Sequence, residues 1–341
     1  MSIVQSCNRL TCEHLALSGA VTALTEPIYV LLLIAIFTGR RRDARLRSAF
    51  FRLTLVAGLV DLLSTLNQWI GMRFRMLGYA PPFYAIYEPI EGRVTVMTMN
   101  WVASFQNWTL LFISANRFTA TIRPVKHSRL WSDRNTSFLI FLNFLAPTAI
   151  NGPFFALVET AFVPMRNHSP FLEAVLVGES SEHVAKVVGI NALVFAACAP
   201  LVCALNVVVC ASLLSRAARR QQLAQSTAEL QLTVATLLTF ALMVMVAVFA
   251  IRLQLEEDGN YRDQFAFGAV VRDLSALARP YLLLGCSSVL RRQVVELVRC
   301  TQSIGAVEQP NNQRVNVVNA TTRTSQRQTC ISRPAQAPDN S

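Results

Sequence analysis

The sequence is poor in charge. Only 15% of its 341 residues are Asp, Glu, Lys or Arg, whereas 53% are hydrophobic, and soluble domains carry about 25% charged residues. The composition is that of a membrane protein. The net charge of +11 would suggest nucleic-acid binding in a soluble protein, but the basic residues lie in short segments between apolar runs. No domain is left to bind a nucleic acid, so we expect no such partner.

Motifs for catalysis and metal binding are also missing. The sequence has no GxSxG, HExxH or P-loop pattern, glycine is scarce, and the four His are not spaced as metal ligands. We therefore expect no catalytic residue, no bound metal and no cofactor. Residues 1–15 lack the basic, apolar and small-residue regions of a signal peptide. We expect this segment to stay on the mature protein.

Seven apolar segments are present instead. Each is about 20 residues long, the length with which a helix crosses the roughly 30 Å hydrocarbon core of a bilayer. Together they predict an all-α bundle of seven transmembrane helices over residues 16–286. The predicted spans are residues 16–37, 50–70, 94–116, 136–158, 187–214, 229–251 and 265–286.

A short amphipathic helix is predicted after the seventh span, over residues 287–300. Its apolar residues, among them Leu290 and Val294, fall on one helical face, which is typical of a helix lying along a membrane surface. Cys300, at its end, is either an S-palmitoylation site or an unmodified thiol. Residues 301–341 are rich in Gln, Asn, Ser, Thr and Pro and predict a disordered tail.

The basic residues predict the orientation in the cell membrane. The connections on one side of the bundle carry twice as many Lys and Arg as those on the other. By the positive-inside rule, residues 1–15 are extracellular and the tail is cytoplasmic. Asn167, in the sequon Asn167-His168-Ser169, then lies in an exterior loop and is the predicted N-glycosylation acceptor.

Charged residues inside the apolar segments are candidates for function, because such residues are costly in a bilayer. Glu26 lies either near the headgroups or in contact with a ligand or proton. Asp61, in the middle of the second span, is either neutral, paired or bound to a cation. Together with Arg279 in the seventh span, these residues leave a membrane transporter or ion channel open as an alternative function.

The sequence resembles the G-protein-coupled receptors. The resemblance rests on the seven spans, on Asn116-Arg117-Phe118 at the inner end of the third, on the run RFTATIRPVKHSRLW that follows, and on RPYLLLGCSSVLRR after the seventh. Glu-Pro-Ile-Tyr at residues 26–29 and the pattern NRF…RPxxHxxLW are similar to nematode serpentine chemoreceptors of class gamma and class V. The resemblance covers residues 16–299. It implies a chemosensory receptor that binds an extracellular small molecule or peptide and signals to a heterotrimeric G protein.

The resemblance also implies roles for particular residues. Arg117 matches the Arg of the family's Asp/Glu-Arg-Tyr triplet, which faces the G protein on activation, although Asn116 replaces the acid. Asp61 matches a second-helix Asp that binds sodium in many members or relays between ligand and cytoplasm. Pro280 and Tyr281 match part of the Asn-Pro-x-x-Tyr hinge. We expect Asp61, Pro280 and Tyr281 to form a conformational switch.

Two surfaces are expected at opposite ends of the bundle. The G-protein surface comprises Arg117, Phe118, Pro124, Arg219 and Arg220. The expected ligand contacts, in the outer halves of the helices, are Glu26, Asn100, Trp101 and Asp273.

The positions of cysteine and lysine depart from the family pattern. The family's usual exterior disulfide is absent, since residues 71–185 contain no Cys. In the N-terminal segment, Cys7 and Cys12 are either bridged or free. No Lys lies in residues 265–286, which excludes a retinal Schiff base.

Overall fold

The structure is a bundle of long helices. The computed structural model describes residues 9–74, 81–164, 172–176, 179–218, 223–255 and 278–307, and in them the predicted all-α fold class is confirmed. The helices are α1 (Arg9–Gly39), α2 (Ala49–Gln68), α3 (Pro81–Ile122), α4 (Pro124–Leu130), α5 (Asp133–Phe155), α6 (Ser180–Ala218), α7 (Leu223–Leu255), α8 (residues 278–286) and α9 (Ser288–Val307).

The chain divides into two units, residues 1–297 and residues 298–341. The bundle belongs to the first. The described part of the second, residues 298–307, is helical, whereas the sequence predicted disorder from residue 301. No Pro occurs there before Pro310, so nothing in these residues forces the helix to end at residue 300.

Five of the first six predicted spans lie within one of the long helices or its continuation, and the fourth, residues 136–158, extends three residues past the end of α5 at Phe155. Of the seventh, only residues 278–286 lie in the described part of the chain. Among the described residues, four helical stretches are long and apolar enough to cross a membrane. They are Ala16–Gly39, Ala49–Gly71, Asp133–Phe155 and Ser180–Arg216, and Leu230–Met245 is a shorter apolar stretch.

Helix α3 is not among these apolar stretches, because it lies at the centre of the bundle and carries many polar residues. Its small polar residues point into protein rather than lipid and are buried, among them Ser104, Thr109 and Ser114. Their hydroxyls and carbonyls receive side chains from neighbouring helices. Asn143 of α5 donates to Thr109 Oγ1 over 2.7 Å, and Asn206 of α6 donates to Ser114 Oγ over 2.9 Å. These bonds satisfy polar groups that lipid could not.

Helix α3 also begins earlier than expected. The sequence predicted a structured loop between the second and third spans, but the helix starts at Pro81. Pro81 and Pro82 occupy its first turn, where the missing N–H has no intrahelical partner in any case. On the other side of the gap, α2 continues into a π-helical turn, Trp69–Arg73.

The connection between α5 and α6 contains a two-stranded antiparallel hairpin. Strand β1 (Thr160–Pro164) pairs with β2 (Leu172–Leu176), with Thr160 opposite Leu176. Thr160 lies against α3, since a Cβ placed on Gly92 would come within 2.8 Å of the Thr160 Cβ. The hairpin therefore packs on the part of α3 that precedes its predicted span.

The largest apolar core lies towards the inner ends of α1, α2 and α9. It includes Leu32, Ile36, Phe50 and Leu53, together with Leu290 of α9, which is fully buried. Leu290 was predicted on the membrane-facing side of the amphipathic helix. It packs into the bundle instead, because the turn at Ser287 brings α9 against the connection between α1 and α2.

Candidate functional site

A buried cluster of polar side chains surrounds Asp61 at the centre of the bundle. Arg279 of α8 donates to Asp61 Oδ2 over 2.5 Å, and the Tyr29 hydroxyl of α1 donates to the same oxygen over 2.6 Å. Gln106 of α3 donates to Asp61 Oδ1 over 2.8 Å. The exposed fractions are 1% for Asp61 and Tyr29 and 8% for Arg279. One carboxylate thus joins four helices.

Of the three states open to Asp61, the structure has the paired one. A carboxylate and a guanidinium removed from water each lose hydration, and direct pairing with further hydrogen bonds offsets this loss. Tyr29 and Gln106 provide those further bonds to the carboxylate. The sequence pointed to Asp61 but did not assign it a partner. The available signal was the presence of Arg279, an oppositely charged residue in another apolar segment.

A small cavity lies beside this cluster. Its volume is about 30 Å³, more than the roughly 10–15 Å³ that one water needs. Arg279 borders it on one side and Phe50 on another, and the hydroxyl-bearing residues Thr54 and Thr236 line it. Within the described part of the chain, the buried Thr54 hydroxyl has no hydrogen-bond partner. The cavity gives the side chains between Arg279 and Phe50 room to change position.

Arg117 lies beyond this cavity and is turned inward. Its guanidinium carbon is 3.7 Å from the centroid of the Phe50 ring, and only 6% of the residue is exposed. A guanidinium over an aromatic face is stabilised by the quadrupole of the ring, more strongly when water is excluded. The predicted G-protein contact at Arg117 therefore requires the side chain to leave this ring.

The other residues of the predicted inner surface differ in exposure. Phe118 is half-buried, and Pro124, the first residue of α4, is exposed. The next residue, Val125, is 88% exposed, an unusual degree for a large apolar side chain. Arg219 and Arg220 lie outside the described residues. In the described part of this rim, α4 is thus a short helix with an exposed apolar residue.

Two further sets of hydrogen bonds join neighbouring helices at the predicted inner end of the bundle. Arg52 of α2 donates to Asp133 Oδ1 over 2.8 Å and to Ser137 Oγ over 2.7 Å, both on α5. Arg216 of α6 donates to the carbonyl oxygen of Thr121 on α3 over 2.8 Å. Hydrogen bonds therefore join α2 to α5, and α6 to α3, along this rim.

The hinge residues of α8 are found in different environments. Pro280 is buried, next to Arg279. Tyr281 is 46% exposed, and its hydroxyl lies 2.9 Å from Thr25 Oγ1 of α1. The residues before position 278 are outside the described part of the chain, so the predicted kink at Pro280 stays a prediction. Of the proposed switch residues, only Asp61 lies in the buried cluster; Arg279 and Tyr29 are the partners that the sequence interpretation lacked.

The predicted ligand contacts are only partly brought together. Asn100 and Trp101 are half-buried neighbours on α3, and Glu26 is half-buried on α1. The Trp101 indole donates to Thr148 Oγ1 of α5 over 3.0 Å and stacks on Phe105. This side chain contributes to helix packing, and its ligand role stays a prediction.

Three other predicted positions cannot be placed at this level of detail. Asp273 and the glycosylation acceptor Asn167 lie outside the described residues. The backbone of Cys300 is part of α9, and the structure describes nothing of its side chain. Modification at Asn167 and Cys300 stays a prediction.

The fold and the site together define a class of protein. Membrane-length apolar helices pack around a polar central helix, and the buried charges join helices to one another rather than lining a catalytic cleft. The molecule is a multi-pass α-helical membrane protein with a connected inner rim.

Comparison with known families narrows this class. The family model of the serpentine type 7TM GPCR chemoreceptor Srv matches residues 19–300, and the chain belongs to this family. It is a receptor family, not a family of enzymes. The chain is also similar to serpentine receptor class V-1 of Caenorhabditis elegans, with 27% identity over 148 residues. That match covers 43% of this chain and spans 46% of the relative's length.

These findings confirm the resemblance to nematode serpentine chemoreceptors and refine it. The sequence interpretation named class gamma together with class V, and the match is to class V. Membership also places the protein in the membrane as a multi-pass receptor.

Proposed function

We propose that the protein is a chemosensory receptor that binds an extracellular cue and activates a heterotrimeric G protein at its cytoplasmic rim. The cue is a small organic molecule or a peptide. The N-terminus is extracellular and the tail cytoplasmic, as the distribution of basic residues predicts. The single observation that carries the proposal, beyond family membership, is a series of neighbouring groups from the Asp61 cluster to Arg117: Arg279 and Phe50 line the same small cavity, and Arg117 lies on the Phe50 ring.

The series has a physical logic. A receptor must have two states that bind an exterior ligand and an interior partner with different affinities. The Asp61 cluster links α1, α2, α3 and α8, so a ligand that shifts any of these helices changes its geometry. Arg279 borders the cavity that also touches Phe50, and Phe50 holds Arg117. Release of Arg117 from Phe50 would then present its charge to the partner.

The inner rim supplies the surface for that partner. It combines the exposed Val125 on α4 with basic residues on the same connection, Arg123, Lys126 and Arg129. An apolar residue surrounded by cations suits a partner whose surface offers an apolar pocket with acidic surroundings. Arg219 and Arg220 are proposed to extend this basic surface.

The experiment measures GTP exchange by purified receptor in lipid nanodiscs with a panel of heterotrimeric G proteins. It is run first without ligand and then with a library of small organic molecules and peptides. Arg117→Ala is expected to abolish exchange while the receptor is still made and inserted. Arg134→Ala is the control, because Arg134 is an exposed arginine in the first turn of α5 and is outside the proposed coupling set.

Full signalling by Arg117→Ala would remove the proposed role of this residue. The transporter or channel alternative makes a different prediction: a ligand-evoked current or substrate flux across the membrane without any G protein. Asp61 and Arg279, two of the charges that this alternative relied on, neutralise each other in the structure.

A further inference from the structure

Thr119, two residues after Arg117, stands at the meeting point of α3 and the inner connection. The Trp131 indole N–H donates to Thr119 Oγ1 over 2.8 Å. The ring nitrogen Nδ1 of His127 lies 3.1 Å from the same oxygen. Thr119 Oγ1 is also 3.0 Å from the carbonyl oxygens of Ala115 and Asn116 in its own helix. One hydroxyl thus contacts two side chains of the connection.

The arrangement is consistent with the available protons. A threonine hydroxyl donates once and accepts twice, and an indole nitrogen only donates. If the Thr119 proton goes to a carbonyl of its own helix, the oxygen accepts from Trp131 and from His127 Nδ1–H. If it goes to His127, that nitrogen is the acceptor and Trp131 still donates. In both arrangements Thr119 Oγ1 accepts the indole proton, so Thr119 cannot be replaced by an apolar residue without loss.

The sequence spacing explains why both partners reach the same oxygen. His127 lies within α4 (Pro124–Leu130), and Trp131 follows four positions later, so the two side chains are on one helical face. The Trp131 ring packs against the apolar core that contains Phe50 and Ile113. Asn135 then donates to the carbonyl oxygens of Arg129 and Leu130, at the last residues of α4. The second half of the short helix is therefore held by Thr119 on one side and by Asn135 on the other.

We propose that Thr119 is the positioning residue of the coupling connection: its hydroxyl, through Trp131 and His127, holds α4 in the orientation that exposes Val125 to the partner. The role in coupling rests on the proposed function. A helix of seven residues is too short to be stable in isolation. Its orientation therefore depends on such contacts rather than on its own propensity.

Hydrogen exchange and GTP exchange on full-length receptor in nanodiscs test the proposal separately. Thr119→Val removes the hydroxyl and keeps the shape, whereas Thr119→Ser restores the hydroxyl. We expect Thr119→Val to accelerate amide exchange in residues 124–131 by roughly five- to tenfold, the effect of about one lost hydrogen bond on local opening. Thr119→Ser is expected to stay near wild type, and the G-protein concentration for half-maximal GTP exchange to rise only in Thr119→Val.

The structure offers a matched control. Thr148 makes the same pair of bonds on α5, accepting from the Trp101 indole over 3.0 Å and donating to a carbonyl one turn back. Thr148→Val is therefore expected to leave amide exchange in residues 124–131 unchanged. Trp131→Phe, which removes the N–H donor together with part of the ring system, provides a second test if Thr119→Val does not fold.

The outcomes separate the two proposals. Unchanged amide exchange in residues 124–131 for both Thr119→Val and Trp131→Phe would overturn the positioning role, whatever the GTP exchange. Faster amide exchange, with wild-type receptor inactive towards every G protein and every library compound, would overturn the proposed function and the coupling role that rests on it. Faster amide exchange with weakened coupling, both restored in Thr119→Ser, supports the positioning role.

Discussion

Arg279 donates to the Asp61 carboxylate over 2.5 Å, although the two residues lie 218 positions apart. The pair joins the second long helix of the chain to the helix before α9. Both side chains are buried, so each is the main compensation for the other's charge. The pair therefore links residues from the first and last thirds of the chain inside the bundle.

Removal of one partner is expected to be costly. Arg279→Gln leaves the Asp61 carboxylate buried without its cation, and we expect a loss of about 3–5 kcal/mol of stability. Adding Asp61→Asn removes the uncompensated charge, so the double variant is expected to recover most of the loss. Thermal unfolding of the purified protein in lipid nanodiscs measures both effects.

The control for this prediction is a pair on the surface. Lys186 pairs with Glu182, and the two side chains are 55% and 64% exposed, so the pair contributes little to stability. Lys186→Gln should therefore change the melting temperature little. Equal losses in Lys186→Gln and Arg279→Gln, or no recovery in the double variant, would contradict the assignment of a buried pair.

Tyr29 is expected to matter through its hydroxyl alone. Tyr29→Phe removes the donor to Asp61 Oδ2 and keeps the ring, and a hydrogen bond to a charged group contributes about 1.5–3 kcal/mol. Tyr281→Phe is the matched control for stability, since its hydroxyl bonds a threonine and the residue is half-exposed. We expect the first variant to unfold at a clearly lower temperature. A larger loss of stability in Tyr281→Phe would show that the Tyr281 hydroxyl stabilises the fold more than the Tyr29 hydroxyl does.

The sequence contained most of the fold. Span length and apolarity were sufficient to place the helices, because these properties are local. The rotation of each helix about its axis was not accessible in the same way. The composition of α3 illustrates the gap. The sequence showed residues 94–116 only as an apolar segment, whereas in the structure the polar residues of this segment contact α2, α5 and α6.

The candidate site was predictable in part for the same reason. Asp61 and Arg279 were both visible as rare charges in apolar segments, but their pairing depends on two distant helices being neighbours. Arg117 lies near the end of α3, as the sequence indicated, but the direction of its side chain was not predictable. The guanidinium lies on Phe50, a residue of another helix that no local pattern connects with it.

The contact between Arg117 and Phe50 predicts that two substitutions will change GTP exchange in opposite directions. Phe50→Leu weakens the attraction that holds Arg117 inward, so we expect ligand-free GTP exchange to rise roughly two- to tenfold, in line with the strength of a cation–π contact. Arg117→Ala is expected to abolish exchange, and the double variant to behave like Arg117→Ala. Exchange is normalised to the amount of folded receptor.

Phe51 provides the control for this test. It is the next residue, equally aromatic and also buried, and its ring packs edge-on against Phe50 at 5.1 Å. Phe51→Leu therefore disturbs the same core without removing the surface on which Arg117 lies. A rise in basal exchange of the same size in both variants would attribute the effect to core packing and not to Arg117.

The closeness of α1 and α2 determines whether Tyr29 can reach Asp61. Gly58 lies at their contact: a Cβ there would be 2.5 Å from Leu33 Cδ2 and 3.2 Å from the Tyr29 hydroxyl. Gly58→Ala must displace the Leu33 side chain or push the helices apart, and we expect it to cost about 1–3 kcal/mol, as overpacking does. Gly189, within α6, has no atom within 4 Å of such a Cβ. Gly189→Ala is therefore expected to stabilise the protein by up to about 1 kcal/mol through helix propensity.

The two alanine variants should thus move the melting temperature in opposite directions, although the chemical change is the same. A companion change separates contact from propensity. Leu33→Ala clears the space that the new Cβ needs, so Gly58→Ala should cost less in that background than in wild type. Destabilisation by Gly58→Ala that is the same in both backgrounds would show that Leu33 does not set the distance between α1 and α2. The Tyr29 bond to Asp61 would then depend on other contacts.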